Sequence, residues 1–215
     1  MKNLDFKAVV FDFDGVVADT MNDNYLAWKQ AFAFYHVDVA QLDYFLLEGM
    51  GRFDIARTLS KKLGISPQFE KEIVEAKEAN YKAINQFRVY PEIYPIFTLL
   101  DHRNIKMGLA TGASKMRITN TLSHELSSFF SVIVTADDIV KGKPDPEPYL
   151  KAIQKLEFSA SECLVIENAK LGISSAKAAG CTCFALETTV SATHLQEADA
   201  IFSNHTELYN HLITI

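Results

Sequence analysis

The sequence predicts an α/β protein: a doubly wound, Rossmann-like parallel sheet with an all-helical domain inserted after strand one. Three observations carry this. Short apolar runs with little internal alternation recur at 7–12, 105–111, 131–136, 163–168 and 182–186, as strands buried on both faces do. Helical periodicity fills the intervals 92–103, 114–126, 146–157 and 169–179, the alternation that builds a parallel sheet. The first run is parted from the second by a long segment that is helical throughout.

Taken in order, "KAVVFD" opens the sheet, and the chain then changes texture. "DNYLAWKQAFAFY" sets Tyr25, Leu26, Trp28, Ala31, Phe32 and Tyr35 at helical spacings, with Tyr25, Trp28 and Phe32 as core of the inserted unit. "RFDIARTLSKKLG" runs to a helix stop at Gly64. "SPQFEKEIVEAKEANYKAINQF" opens with Ser66 as N-cap and Pro67 in the first turn, and its "KEIVEAKEANYK" stretch reads as a solvated face laced by i,i+4 pairs. Residues 1–18 and 87–215 are thus assigned to the α/β core and 19–86 to the helical domain.

Hydrophobic content of 48% and charged content of 22% are those of a soluble globular chain of 215 residues. A net charge of −6 argues against nucleic acid or an anionic membrane as partner. No run of about 18 apolar residues exists to span a bilayer. The N-terminal "MKNLDFKAVVFDFDG" enters a strand without the apolar stretch of an export signal, which points to the cytoplasm. Cys163, Cys181 and Cys183 read as reduced, buried thiols, and the six histidines are scattered on surface or helix-end positions without ligand spacing.

Ligands of doubly wound sheets bind at the carboxyl ends of the strands, so the residues there matter most. They are Asp12 and Asp14, then Thr111-Gly112, then Glu167-Asn168, joined by Lys143 in the loop "KGKPDPEP". Two carboxylates so close together are costly to bury without a cation or proton to offset them. Carboxylate and amide oxygens with no sulfur nearby suit a hard cation, Mg²⁺ by default. With a lysine, a threonine hydroxyl and a glycine that lets backbone N–H groups approach an anion, the set fits phosphoryl transfer: one carboxylate attacks phosphorus and the second protonates the leaving oxygen. A carbon–halogen hydrolase would need no second aspartate. A phospho-receiver module would be little more than half this length and would lack the insertion.

"FDFDGVVAD", "ATGAS", "KGKPDPEPY" and "CLVIENAKLGISSAKAAG" resemble, in order, the four motifs of the haloacid dehalogenase-like hydrolase superfamily, and most closely its β-phosphoglucomutase-like phosphatase branch with a helical cap. The resemblance implies that Asp12 is the nucleophile and Asp14 the general acid/base. It implies further that Thr111, Gly112 and Lys143 bind phosphate, and that Asp12, the Asp14 carbonyl, Glu167 and Asn168 surround Mg²⁺. Residues 19–86 become a mobile cap closing over a small phosphorylated substrate. Two departures stand out: Asn168 replaces the aspartate of many relatives, and Asn24 stands where the mutases carry a histidine, which weakens the mutase reading. In the cap loop "LLEGMGRFD", Arg52 matches a substrate-gripping arginine, and Glu48 is expected to reach the metal on closure, which would favour a small substrate such as pyrophosphate.

Overall fold

The computed structural model describes residues 6–215; the reading of residues 1–5 as free of an export signal lies outside them. Six parallel strands, β1 (Ala8–Phe11), β2 (Lys106–Ala110), β3 (Val132–Val134), β4 (Cys163–Glu167), β5 (Thr182–Leu186) and β6 (Ala200–Phe202), lie in the order β3-β2-β1-β4-β5-β6. This is the doubly wound order, with its switch point where β1 pairs on one side with β2 and on the other with β4. Ten α-helices are described: α1 (Met21–Ala33), α2 (Gln41–Phe45), α3 (Arg52–Leu63), α4 (Glu70–Ile84), α5 (Ile93–His102), α6 (Lys115–Thr121), α7 (His124–Ser128), α8 (Glu147–Leu156), α9 (Lys170–Ala178) and α10 (His205–Leu212).

Strand alternation divides the core into two layers. Val9, Phe11, Leu109, Leu164, Ile166 and Phe184 face one way, packing on Ile93, Ile96 and Phe97 of α5 and on Leu208 and Leu212 of α10. Ala8, Val10, Ala110, Val165, Cys183 and Ala185 face the other, under Tyr149 and Ile153 of α8 and Ile173 of α9. On this side Tyr149 of α8 and Gly172 of α9 come against Glu167 at the end of β4. All three cysteines are buried and unbridged.

Helices α1–α4 gather around a cluster of their own that includes Trp28, Phe32, Tyr44, Ile55, Leu59 and Ile73. The two crossings to the sheet pair with each other: Ala18 bridges Val89, Asp19 N–H donates to the Arg88 carbonyl at 2.9 Å, and Tyr90 N–H donates to that of Val17 at 3.1 Å. Among the described residues no helix is long and apolar enough to cross a membrane.

Three local readings are corrected. The helix expected over 114–126 is two: the backbone extends at Leu122, and Ser123 caps a fresh helix by accepting Leu126 N–H at 3.1 Å. Strand β6 and helix α10 were not expected, because three half-buried residues carry no readable period. The "KEIVEAKEANYK" face is not solvated throughout. Lys71 and Glu75 do pair across it at 3.8 Å, but Ile73, Val74, Lys77 and Tyr81 are buried. His205 stands at a helix end as expected, opening α10, and is buried there; its Nε2 lies 2.7 Å from the Val16 carbonyl, and its ring stands 4.6 Å from that of Tyr90.

Candidate active site

Asp12 follows β1 and continues the Ala8/Val10 alternation, which carries it to the α8–α9 side of the sheet. Lys143 meets it there, with Nζ 2.5 Å from Asp12 Oδ1, 2.7 Å from Glu167 Oε1 and 3.2 Å from the Ala110 carbonyl. The ammonium also lies 4.7 Å from the ring centroid of Tyr149, whose hydroxyl donates to Glu167 Oε1 at 2.6 Å. The other oxygen of Glu167 accepts the backbone N–H groups of Asn168 (2.9 Å) and Ala169 (3.1 Å). Every one of these side chains is buried.

This cluster explains a glycine inside a helix, which normally costs about 0.5–1 kcal/mol. Gly172 of α9 lies against the Glu167 carboxylate, and a Cβ there would collide with it. Gly15 has a second reason to be glycine: its φ of +87° is left-handed, and a Cβ would strike the Asn168 amide.

Asp14 stands in different company. Thr20 Oγ1 and Arg117 Nη2 both donate to its Oδ1, Arg117 Nη1 donates to Oδ2 at 2.9 Å, and Asn24 Nδ2 reaches Oδ1 at 3.4 Å. Asn24 Oδ1 in turn accepts from Lys77 at 3.0 Å. Lys77 is tolerated in the interior because its ammonium also lies 5.6 Å from the Trp28 ring and 4.8 Å from that of Tyr81.

The two aspartates are therefore biased in opposite directions. Burial pushes Asp12 up; Lys143 opposes this, while the charges of Glu167 and Asp14 add to it. Burial also pushes Asp14 up, but the Arg117 guanidinium and the Thr20 hydroxyl outweigh it and hold the carboxyl below its usual range. Lys143 is disfavoured by burial, yet its two carboxylates keep it above an ordinary lysine.

Of the remaining sequence-predicted residues, Thr111 is buried at the end of β2, and its hydroxyl oxygen accepts Ala113 N–H at 3.0 Å. That leaves the Thr111 hydroxyl proton available to an anion, while Ser114 caps α6. Gly112 and the cap loop meet closely: a Cβ on Gly112 would stand 3.6 Å from the carbonyl oxygens of Gly49 and Met50. On the same loop, a Cβ on Gly49 would press to 3.2 Å from Lys143 Cδ. The cap loop is thus docked on the core. Glu48, Arg52, Asn24 and Gly112 line one cleft of about 50 Å³ with Asp14, Tyr44, Lys77 and Arg117. Glu48 is turned to Tyr44, whose hydroxyl donates to it at 2.5 Å. Arg52 lies 5.7 Å from the Phe53 ring, and Asp54 pairs with Arg57 instead.

The geometry also brings in residues that spacing did not single out. Arg117, Tyr81, Thr20 and Tyr44 carry no motif. Tyr149 ends the "KGKPDPEPY" motif, but nothing in the sequence shows that its hydroxyl meets Glu167. Gly172 did leave a signal, since a glycine at mid-helix calls for a close approach.

As for a metal, no cluster of three or more His, Cys, Asp or Glu side chains forms a cage among the described residues. The available donors are instead mixed oxygens. Asn168 Oδ1 is buried without any hydrogen-bond partner, while its Nδ2 is fixed by Thr189 Oγ1 at 2.5 Å. Lys143 takes one oxygen of Asp12 and leaves Oδ2 available. An orphaned amide oxygen beside a buried carboxylate fits a hard cation that retains several waters.

The model of the family described as "Haloacid dehalogenase-like hydrolase" matches residues 9–186, spanning every residue of this cluster. The chain belongs to that family. Among its relatives, the β-phosphoglucomutase of Bacillus subtilis (strain 168) is 30% identical over 183 residues, covering 81% of this chain and 80% of the relative. The validoxylamine A 7'-phosphate phosphatase of Streptomyces hygroscopicus subsp. limoneus is 28% identical, covering 94% and 96%. A solved hydrolase structure from Pseudomonas syringae superposes with a TM-score of 0.86 at 26% identity, covering 97% of this chain and 99% of that one. This haloacid dehalogenase-like chain is thus a hydrolase whose relatives are named for acting on small phosphorylated compounds.

Proposed function

We propose that this protein is a Mg²⁺-dependent cytoplasmic phosphatase that hydrolyses a small phosphorylated metabolite through a phosphoaspartate on Asp12. The observation that carries the reading is the pair Asp12 and Asp14, one held by Lys143 and the other by Arg117. Asp12 attacks phosphorus, and the bond from phosphorus to the leaving oxygen breaks. Asp14 is the proton carrier: it must first take up a proton against the hold of Arg117, gives it to that oxygen, then takes one from the water that attacks phosphorus and frees Asp12. Lys143 and Thr111 hold the phosphoryl oxygens, and Glu167 with Tyr149 keeps Lys143 in place. Asp12, the Asp14 carbonyl and Asn168 would hold Mg²⁺, with Glu167 behind them. The cation, when bound, neutralises charge on the transferring phosphoryl group.

Residues 1–18 and 87–215 serve as the catalytic core and 19–86 as the cap. A phosphate-release screen with Mg²⁺ across sugar phosphates, nucleotides and pyrophosphate tests the reading, with Asp12→Asn as the blank. Release by wild type alone supports it; equal release by the blank removes Asp12 as nucleophile.

A pyrophosphatase activity is the second reading, favoured by the narrow cleft and by the half-buried acid Glu48 that lines it with Asp14. On that reading Glu48→Gln raises the Mg²⁺ concentration needed for half-maximal activity, and an unchanged metal titration argues against it. A sugar phosphomutase is the weaker alternative, since Asn24 cannot play a histidine's part in proton transfer; isomerised sugar phosphate in place of free phosphate would support it.

A further inference from the structure

We propose that Arg117 is the positioning residue for Asp14, and that through Tyr81 it ties the placement of that carboxylate to the docked cap; this rests on the phosphatase reading above. Arg117 stands in the first turn of α6, where its backbone N–H donates to the Ser114 hydroxyl at 3.2 Å. The guanidinium grips both oxygens of Asp14, Nη1 on Oδ2 at 2.9 Å and Nη2 on Oδ1. A two-pronged guanidinium fixes the plane of a carboxylate as well as its position, which a lysine cannot do.

The other side of Arg117 belongs to the cap. Nη2 also donates to the Tyr81 hydroxyl at 2.7 Å, and the guanidinium carbon lies 4.6 Å from the Tyr81 ring and 5.9 Å from that of Phe13. Tyr81 is on α4, whereas Phe13 separates the two aspartates. Of the side chains bonded to Asp14 among the described residues, Thr20 and Asn24 lie on the cap side of the first crossing, and Arg117 alone belongs to the core. When the cap lifts, Arg117 is the anchor that remains, and it has then lost Tyr81. Asp14 is held from every side only when the cap is docked, so the acid is aligned when the cleft is closed to water.

The test uses the leaving group as its readout. Values of kcat/KM with Mg²⁺ are measured for substituted phenyl phosphates, from p-nitrophenyl phosphate, whose leaving group departs without a proton, to phenyl phosphate, whose leaving oxygen needs one. Wild type is compared with Asp14→Asn, Arg117→Ala, Arg117→Lys and Tyr81→Phe. Arg117→Ala is expected to lose about tenfold or less on p-nitrophenyl phosphate and about 100-fold on phenyl phosphate, steepening the leaving-group dependence as Asp14→Asn does. Arg117→Lys recovers part of the loss, and Tyr81→Phe moves the same way by less. A uniform loss across the series in Arg117→Ala, beside a steepened Asp14→Asn, overturns the inference and leaves the phosphatase reading standing. If Arg117→Ala does not fold, uniform loss in both Arg117→Lys and Tyr81→Phe overturns it equally. No steepening in Asp14→Asn removes the acid role of Asp14 and the inference with it, and the phosphate-release screen then decides the phosphatase reading separately.

Discussion

Glu48 and Tyr44 share a 2.5 Å hydrogen bond inside the cleft, with Asp14, Lys77 and Arg117 as the charged groups around them. Burial, then the charge of Asp14, raises the Glu48 carboxyl from 4.5 to about 7. The unfolded chain releases that proton first, so between these two values the native state holds more protons and stability falls as pH rises. The cost is absent below 4.5 and complete above about 7, at most on the order of 3 kcal/mol. Glu48→Gln keeps an acceptor for Tyr44 and removes the charge. Urea denaturation in EDTA should therefore find the variant equal to wild type near pH 4 and more stable near pH 8; parallel curves would contradict the shift. Tyr149→Phe is a second residue-scale case. It deprives Glu167 Oε1 of a donor, and phosphate release should fall about tenfold with a stability loss of about 1 kcal/mol by thermal denaturation.

At the scale of an element, α9 is built around its own exception. Glycine to alanine in a helix ordinarily stabilises by about 0.5–1 kcal/mol. Gly172→Ala should do the reverse, because the new Cβ meets the Glu167 carboxylate and must displace it from Lys143. A lowered Tm together with activity reduced about 100-fold is the expected result, and a raised Tm with full activity would mean the carboxylate can move freely. Helix α4 teaches a related point. Its charged sequence suggested a solvated helix, yet Lys77 and Tyr81 are buried because aromatic rings and Asn24 from α1 receive them. Periodicity reports that a helix has an apolar side; it does not report that a lysine on that side will find an aromatic partner. Helix 114–126 was read too long for a similar reason, since the role of Ser123 as a cap depends on where the backbone turns.

At the scale of the molecule, the cap loop rests on the core through Gly49, Met50 and Gly112, and the acids fall into two groups, buried Asp12 and Glu167 on Lys143, and buried Asp14 with half-buried Glu48 near Arg117 and Lys77. A divalent cation bound by the native state alone would stabilise it by mass action, about 2.7 kcal/mol at a concentration 100 times Kd. EDTA should abolish phosphate release, and added Mg²⁺ should restore it while raising Tm by a few degrees; a Tm indifferent to Mg²⁺ would count against a site in this cluster. Much of the architecture was legible beforehand. Five of six strands stood out as apolar runs, because strands buried on both faces must be apolar along their length. The strand-end residues Asp12, Thr111 and Glu167 were legible for the complementary reason: a charge or hydroxyl among such neighbours needs a use.

By itself, then, the sequence determined the doubly wound sheet, the helical insertion and the polar residues that end its strands, since these follow from local periodicity and from the cost of burying charge. Only the tertiary structure decided which partner each carboxylate has. Lys143 and Tyr149 are assigned to the Asp12–Glu167 side, Arg117 and Tyr81 to Asp14, and Tyr44 to Glu48. Apart from Tyr44 and Glu48, four positions apart, those pairings join residues well separated in the chain, from 18 positions for Tyr149 and Glu167 to 131 for Lys143 and Asp12. Spacing cannot encode them, because electrostatic partnership depends on distances that exist only once the sheet is wound and the cap is docked.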